Sequence, residues 1–171
     1  MKFINSLRRK LILKRSLVKF AAVLSVFFAG TSFINVPSVS HAQEVQAATV
    51  TQERKAVVSL AKKQVGKAYV YGATGPYSFD CSGLALYVYK NAVNVTLPRT
   101  TYGQVTKGTR VSLSNLEPGD LLFWGSASAP YHVGIYIGNG QYIHAAAPGQ
   151  GVIKATLSSY FYPSAAKRVL K

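Results

Sequence analysis

One cysteine is the residue of this sequence best suited to covalent chemistry. Cys81 is the only cysteine among the 171 residues, and it lies in the segment Phe79-Asp80-Cys81-Ser82-Gly83-Leu84. An apolar run with helical character follows it, so the thiol falls in the first turn of a predicted helix. Backbone N–H groups and the helix dipole favour thiolate over thiol at such a position. We therefore predict that Cys81 is a catalytic nucleophile with a lowered pKa.

A cysteine nucleophile needs a base that accepts its proton and, usually, a third group that orients the base. After residue 42 the sequence offers two histidines, His132 and His144. They fall in two predicted strands, residues 132–137 and 141–146, around a Gly-Asn-Gly segment. A lone histidine is more often a surface or core residue than a catalytic one. Two histidines on one face, together with a single cysteine, favour catalysis.

The loop between these strands decides whether the histidines share a face. A two-residue turn at Asn139-Gly140 would pair Ile135 with His144 and place the histidines on opposite faces. A three-residue loop at residues 138–140 would instead pair Gly134 with His144 and gather both histidines on one face. It would also leave a continuous apolar face on the other side of the sheet. Register is set where one face is buried, so we predict the three-residue loop.

A metal site is the alternative use of these side chains. Cys81, His132, His144 and Asp80 together would supply enough ligands for zinc. The sequence has neither a Cys-x-x-Cys nor a His-Glu-x-x-His spacing to support it. We therefore expect neither a metal nor a cofactor.

The first 42 residues have the pattern of a secretory signal peptide. Seven basic residues and no acidic residue precede a short apolar run, and Ser40-His41-Ala42 offers small residues at a cleavage site. The apolar run is interrupted by Gly30 and is short for a membrane span, although an uncleaved anchor is the alternative. We predict a signal peptide over residues 1–42, a flexible leader over 43–51 and one catalytic domain over 52–171. The mature protein would then have no stable membrane anchor.

Positive charge remains after the leader is removed. With seven of the 20 basic residues and none of the five acidic residues in the leader, 13 basic and five acidic residues remain, a net charge of +8. This charge favours an anionic environment. Export, and the lack of any recognisable nucleic-acid-binding module, favour anionic wall polymers over nucleic acid as the partner.

The order of predicted elements indicates the fold class. Helices are predicted at residues 52–65 and from Cys81 to about residue 91 or 94, with a short helical turn at 101–105. Strands follow at 121–124, 132–137, 141–146, 152–155 and 166–170. Helices followed by an antiparallel meander predict an α+β fold.

Six segments of the chain resemble the NlpC-type family of cell-wall endopeptidases, which are papain-like cysteine peptidases. They occur in the family's order and span most of the chain after residue 52: residues 69–72, 79–84, 97–101, 118–123, 132–138 and 143–145. The resemblance implies a papain-like α+β fold with helices packed on a central antiparallel sheet and the nucleophile at a helix N-terminus.

The resemblance also implies roles for individual residues. Cys81 matches the nucleophile, His132 the general base and His144 the group that orients the base. Five further residues match positions that hold the peptide substrate: Tyr69, Asp80, Ser82, Thr100 and Thr101. Arg99 and Asp120 match positions that look structural.

The implied activity is hydrolysis of peptidoglycan stem peptides between D-γ-glutamate and a diamino acid, by a secreted enzyme associated with the cell wall. A binding domain that retains the fold without activity is one alternative, although the complete set of Cys81, His132 and His144 argues against it. Amidase or acyl-transfer chemistry on another wall or lipid substrate is a second alternative.

Overall fold

The computed structural model describes residues 41–171 of the chain. The predicted signal peptide therefore lies outside the described residues, except for its last two positions. Three helices are described: α1 His41–Lys62, α2 Cys81–Val93 and α3 Thr101–Gln104. The eight strands are β1 Ala68–Tyr69, β2 Ser78–Phe79, β3 Thr109–Val111, β4 Leu121–Gly125, β5 Pro130–Gly138, β6 Gln141–Ala145, β7 Val152–Thr156 and β8 Ala165–Arg168. None of the described helices is long and apolar enough to cross a membrane.

The fold is α+β, as predicted. Six strands form an antiparallel sheet in the order β3-β8-β4-β5-β6-β7, and the two short strands β1 and β2 pair in parallel beside the start of α2. Helices α1 and α2 pack against each other and against β5. The sequence analysis did not predict β1, β2 or β3, which have only two or three residues each.

Each face of the sheet has its own apolar core. The helix-side core is built on strand residues that alternate along β4, β5 and β6, and it includes Leu121, Phe123, Val133, Ile135 and Ile143 packed against Val57, Leu84 and Val88 of the helices. The opposite core contains the residues between them, Leu122, Trp124, Tyr136 and Tyr142, with Ala166 of β8. This alternation follows from the two-residue period of a strand.

Helix α1 begins earlier than the sequence predicted. We expected a flexible leader over residues 43–51 and a helix from residue 52, but the helix includes residues 43–51. Alanine and glutamine are good helix formers, and an existing helix extends at little cost once it is nucleated. These turns are almost entirely exposed, so no buried apolar stripe marks them as helical in the sequence.

The β5–β6 hairpin has the predicted register but not the predicted loop. Ile135 pairs with Ile143, which places both histidines on one face. The strands are nevertheless joined by Asn139-Gly140, whose φ angles of 53° and 68° are those of a two-residue type I′ turn. A register shift between Tyr136 and Gly138 reconciles the two features, because one extra residue in β5 shifts the pairing by one position.

Asp120 fastens helix α1 to the sheet. Its carboxylate is fully buried and accepts hydrogen bonds from Arg168 Nε at 3.0 Å and Nη2 at 2.9 Å. Arg54 of α1 lies 3.6 Å from the same carboxylate and donates to the Pro118 carbonyl at 2.9 Å. These contacts agree with the structural position that the resemblance implied for Asp120.

Candidate active site

The nucleophile candidate is the first residue of α2. The preceding Asp80 is the N-cap of this helix, and its Oδ1 accepts a hydrogen bond from the Gly83 N–H at 2.7 Å. This is the usual way in which an aspartate satisfies a first-turn donor. Gln104 of α3 holds the same turn by donating from Nε2 to the Ser82 carbonyl at 2.8 Å and the Pro98 carbonyl at 2.9 Å. The thiol of Cys81 is therefore carried by a firmly anchored helix start.

The resting thiol is less acidic than the sequence predicted. Burial raises the pKa of Cys81, and the negative charge of Asp80 acts in the same direction. The backbone N–H groups of Val133, Ser82 and Cys81 lower the pKa of the thiol, but they do not outweigh burial. The helix start supplies the expected donors, and desolvation of the site reverses their net effect. The structure therefore favours a neutral thiol in the absence of substrate.

The two histidines are in direct contact. His132 Nε2 lies 2.7 Å from His144 Nδ1, so the rings share one proton across this bond. For His132 to accept a proton at Nδ1, it must carry its own proton on Nε2 and donate it to His144. His144 then carries its proton on Nε2, a buried atom with no acceptor among the described residues. The contact accommodates the tautomer in which His132 can act as a base, with His144 Nδ1 as the acceptor.

Both imidazoles are neutral at physiological pH. Burial lowers the pKa of His132 to about 3, with a further contribution from His144, and burial lowers the pKa of His144 to about 4. The side of the sheet that holds them is aromatic, and Trp124 lies 5.4 Å from the His132 ring centre and 6.4 Å from that of His144. Neutral imidazole is the form that accepts a proton from a thiol.

Asp80 and Ser82 belong to a polar cluster built around Arg99. Arg99 forms an ion pair with both carboxylate oxygens of Asp80, and its Nη1 also donates to Ser82 Oγ at 2.8 Å. The Gly72 N–H donates to Asp80 Oδ2 at 2.9 Å. Burial raises the pKa of Asp80, but Arg99 and the backbone donors together outweigh it, so this pKa lies below its ordinary value. The carboxylate is fully engaged by the protein, and the half-exposed Arg99 is the charged side chain left at the surface of the cluster.

Two adjoining hollows meet at Cys81. The first, of about 470 Å³, contains the Arg99 cluster, and the second, of about 450 Å³, contains His132, His144, Gln150 and Phe161. Tyr69, Cys81 and Tyr131 line both hollows. Tyr131 is the extra residue of a bulge in β5 next to His132, and bulges commonly redirect side chains beside active sites. Cys81 therefore lies where the two hollows, together called the groove, adjoin, with the histidines in one and the arginine in the other.

The remaining predicted site residues also line the first hollow. Thr100 caps α3 by accepting from the Gly103 N–H at 3.3 Å, and Thr101 donates to the Pro130 carbonyl at 2.6 Å. Both hydroxyls thus have partners within the protein. Tyr69 lies in both hollows, and burial raises the pKa of its hydroxyl, with smaller contributions from Cys81 and Asp80. Its hydroxyl is accordingly a neutral hydrogen-bond donor.

The sequence analysis missed several residues that line the groove. The resemblance implies a structural position for Arg99, although Arg99 also lines the first hollow, and no pattern in the sequence singles out Gln150 or Phe161. Gln150 and Phe161 lie in loops, where no periodic pattern marks a functional side chain. Within residues 41–171 no group of three histidine, cysteine, aspartate or glutamate side chains is arranged to hold a metal ion.

Known proteins share this arrangement of elements. Residues 66–170 match the model of the NlpC/P60 family. The chain is 45% identical over 105 residues to protein P54 of Enterococcus faecium and 48% identical over 89 residues to the probable endopeptidase p60 of Listeria seeligeri. These matches cover 61% and 52% of this chain but only 20% and 17% of the two relatives.

Solved structures agree with the sequence comparisons. The NlpC/p60 domain of the peptidoglycan hydrolase SagA superposes with a TM-score of 0.64 at 42% identity, over 67% of this chain and 97% of that domain. The peptidoglycan hydrolase RipB of Mycobacterium tuberculosis superposes with a TM-score of 0.66 at 26% identity, over 85% of this chain and 75% of RipB. With its papain-like helices on an antiparallel sheet and a cysteine at the start of a helix, this chain belongs to the NlpC/P60 family.

Proposed function

We propose that this protein is a peptidoglycan hydrolase, a cysteine endopeptidase that cuts stem peptides. The observation that carries the proposal is the arrangement of Cys81 at the start of α2, in one hollow with His132, whose ring is bonded to His144. The relatives described above, a probable endopeptidase and two peptidoglycan hydrolases, support the same activity for this chain.

The reaction begins from a neutral pair. As Cys81 Sγ attacks the carbonyl carbon of the scissile amide, its proton passes to His132 Nδ1, and the amide C=O becomes an oxyanion. The imidazolium then gives this proton to the leaving nitrogen, the C–N bond breaks and a thioester remains on Cys81. Water, deprotonated by His132, attacks the thioester, which releases the carboxylic acid and restores the thiol. Throughout the reaction, His144 Nδ1 accepts a hydrogen bond from the His132 Nε2–H and holds the His132 ring in place.

Two donors are suited to hold the oxyanion. The Cys81 backbone N–H lies in the first turn of α2, where no helical acceptor exists for it. The neutral hydroxyl of Tyr69 lies on the border of the two hollows, next to Cys81. Donors placed where charge develops commonly contribute about 100-fold or more to a rate. We assign the oxyanion site to these two groups.

The two sides of the groove should hold different parts of the substrate, and this supports a particular scissile bond. Because His132 protonates the leaving nitrogen, the leaving amino acid occupies the histidine side and the acyl part occupies the arginine side. Arg99 has five N–H donors, and three hydrogen bonds to Asp80 and Ser82 leave two for a ligand. A γ-linked D-glutamate carries a free α-carboxylate close to the scissile carbonyl, and this group suits Arg99. We therefore propose cleavage between D-γ-glutamate and a diamino acid.

The other residues of the first hollow would complete the substrate site. Tyr69, Asp80, Ser82, Thr100 and Thr101 line it. Asp80 and Ser82 act by holding Arg99 in position, and the two threonines shape the wall. The peptide itself would then contact Arg99 and the exposed tyrosines of this hollow.

The proposed location of the enzyme is the cell wall outside the cell. The signal-peptide pattern of residues 1–42 supports export, and the net charge of the remaining residues supports contact with anionic wall polymers.

Defined muropeptides test the activity directly. The protein is incubated with stem peptides in water enriched in ¹⁸O, and the products are identified by mass spectrometry. Hydrolysis at the D-γ-glutamyl bond, with one ¹⁸O in the new carboxylate, is expected for the natural protein, whereas Cys81→Ala should fold and give no product. A cut at another amide would identify amidase chemistry, transfer to an added amine would identify acyl transfer, and unchanged cleavage by Cys81→Ala would refute the proposal.

A matched pair of arginine variants tests the direction of the groove. Arg99→Gln should raise KM for a peptide with a free D-glutamate α-carboxylate and have little effect on one in which this group is amidated. Arg110→Gln serves as the control, because Arg110 is an exposed arginine on β3, outside both hollows.

A further inference from the structure

Phe161 is an aromatic residue that the proposed reaction does not use. It lies on the loop at residues 157–164, between β7 and β8, and its ring stacks on Trp124 with ring centres 4.9 Å apart and planes inclined by only 11°. Trp124 is almost fully buried beneath it. The loop thus contributes Phe161, together with Leu157, to the core on the histidine side of the sheet.

The same ring lies against both catalytic histidine candidates. Its centre is 6.1 Å from that of His132 and 6.4 Å from that of His144, and it lines the hollow that contains Cys81. Trp124 contacts the pair from the sheet, and Phe161 contacts it from the loop. His132 and His144 are only 7% and 6% exposed, although they border an open groove.

The loop holds Phe161 in this position while its neighbours point to solvent. The Phe161 N–H donates to the Ser158 carbonyl at 3.3 Å, and the Ser164 N–H donates to the Phe123 carbonyl in β4 at 2.8 Å. Tyr160 is 99% exposed and Tyr162 is 52% exposed. Of three consecutive aromatic residues, the middle one is thus packed against the histidines.

We propose that Phe161 is a positioning residue of the reaction, which covers the bonded His132–His144 pair and keeps it oriented and shielded from water while Cys81 attacks. The inference rests on the proposed function, because it assigns the histidines to catalysis. Shielding disfavours the charged imidazolium, in agreement with the lowered pKa values of both histidines. It thereby keeps His132 in the form that accepts the thiol proton.

Among the described residues 41–171, few other titratable groups surround the pair. They are Cys81 from α2, Tyr69 from β1, Tyr131 from β5 and Tyr142 from β6. The strand beyond β6 contributes Ile153, which pairs with His144. The Asp80–Arg99 ion pair lines only the other hollow. Removal of the Phe161 ring therefore changes mainly the hydration of the two imidazoles.

Titration of the histidines by NMR tests the proposal without a substrate. The whole chain has three histidines, so their ring signals are few. In Phe161→Ala and Phe161→Gln, we expect the pKa values of His132 and His144 to rise by about one unit or more, because water reaches the rings. Phe161→Leu, which keeps an apolar cover, should remain near the natural protein. Tyr160→Ala is the matched control and should leave both pKa values unchanged.

The pH dependence of kcat/KM on a stem peptide is the second measurement. The acidic limb should move to higher pH in Phe161→Ala and Phe161→Gln, and return in Phe161→Leu. Unchanged histidine titration in folded Phe161→Gln would overturn the proposal, as would an equal shift in Tyr160→Ala. A third outcome is that the pKa values of the histidines shift as expected, but neither the natural protein nor any variant cleaves stem peptides. In that case the shielding is upheld and the proposed function fails.

Discussion

The thiol and the imidazoles of this site are held in their uncharged forms. Burial raises the pKa of Cys81 and lowers those of His132 and His144, so each group resists the charge that an ion pair would require. Proton transfer then accompanies attack on the substrate instead of preceding it. One practical result is that alkylating reagents should react slowly with Cys81 at neutral pH, since thiolate is the reactive form.

His144 affects this chemistry through a single hydrogen bond. In His144→Ala, His132 loses the partner at 2.7 Å that would accept its Nε2–H in the reaction, so kcat should fall by about 100-fold or more with little change in KM. His144→Asn offers a carbonyl oxygen in place of Nδ1 and should recover part of the loss. Steady-state kinetics on a defined stem peptide measure both variants.

The recovery in His144→Asn separates positioning from simple packing. Equal loss of kcat in the alanine and asparagine variants, with equal thermal stability, would show that the hydrogen bond is not what His144 contributes. Unchanged kcat in His144→Ala would remove it from the site altogether.

At the scale of elements, the β5–β6 hairpin is what brings the histidines together. His132 and His144 are not directly opposite each other, so their rings meet along a diagonal over Gly134. A side chain at Gly134 would intrude on this space, because an added Cβ would lie 3.0 Å from Tyr142 Cδ2 and 3.4 Å from His144 Cβ. The glycine thus leaves room for the contact between the rings.

Two glycine variants of the hairpin should affect different properties, one the catalytic rate and the other the stability. Gly134→Ala should lower kcat by about tenfold or more through displacement of His144, since misplaced groups lose much of their catalytic effect. Gly140→Ala has open space but a φ of +68°, so it should lower the free energy of unfolding by about 1 kcal/mol with little change in kcat. Urea denaturation and steady-state kinetics on both variants compare the two effects, and the reverse pattern would contradict this account.

The hairpin also marks how far the sequence alone can predict the fold. The apolar face through Ile135 and Ile143 gave the correct register, because burial fixes the pairing. The same reasoning wrongly excludes the Asn139-Gly140 turn, which the structure contains. No local pattern in the sequence indicates the bulge that makes this turn compatible with the register. The Arg99 contact with Asp80 joins residues 19 positions apart, and Phe161 reaches the histidines from a loop, so tertiary packing alone determines both.

At the scale of the whole molecule, arginines and lysines differ in whether they form ion pairs. Three of the five acidic residues after residue 42, Asp80, Glu117 and Asp120, form ion pairs with Arg54, Arg99 and Arg168. Within residues 43–171 no ion pair joins a lysine to a carboxylate. These three arginines hold the fold and the groove, and the lysines, with the exposed Arg110, leave an excess of positive charge on the surface.

This surface charge predicts salt-dependent binding to cell walls. Purified walls that retain their anionic polymers should sediment the protein at low ionic strength and release it as salt is raised to about 0.5 M, where charges are screened within a few ångströms. Walls stripped of these polymers should retain much less protein. Cys81→Ala should be used so that the walls stay intact, and retention that is insensitive to salt would argue against an electrostatic contact.

The presence of a separate core on each face of the sheet has a consequence for how the enzyme loses activity. Cys81 packs with the helix-side core, whereas His132 and His144 contact Trp124 and Phe161 of the opposite core. No single core holds the complete site, so the thiol meets its base only where both layers are docked on the same strands. Loss of activity should therefore precede loss of secondary structure on heating, and a partly folded chain would be unable to cut.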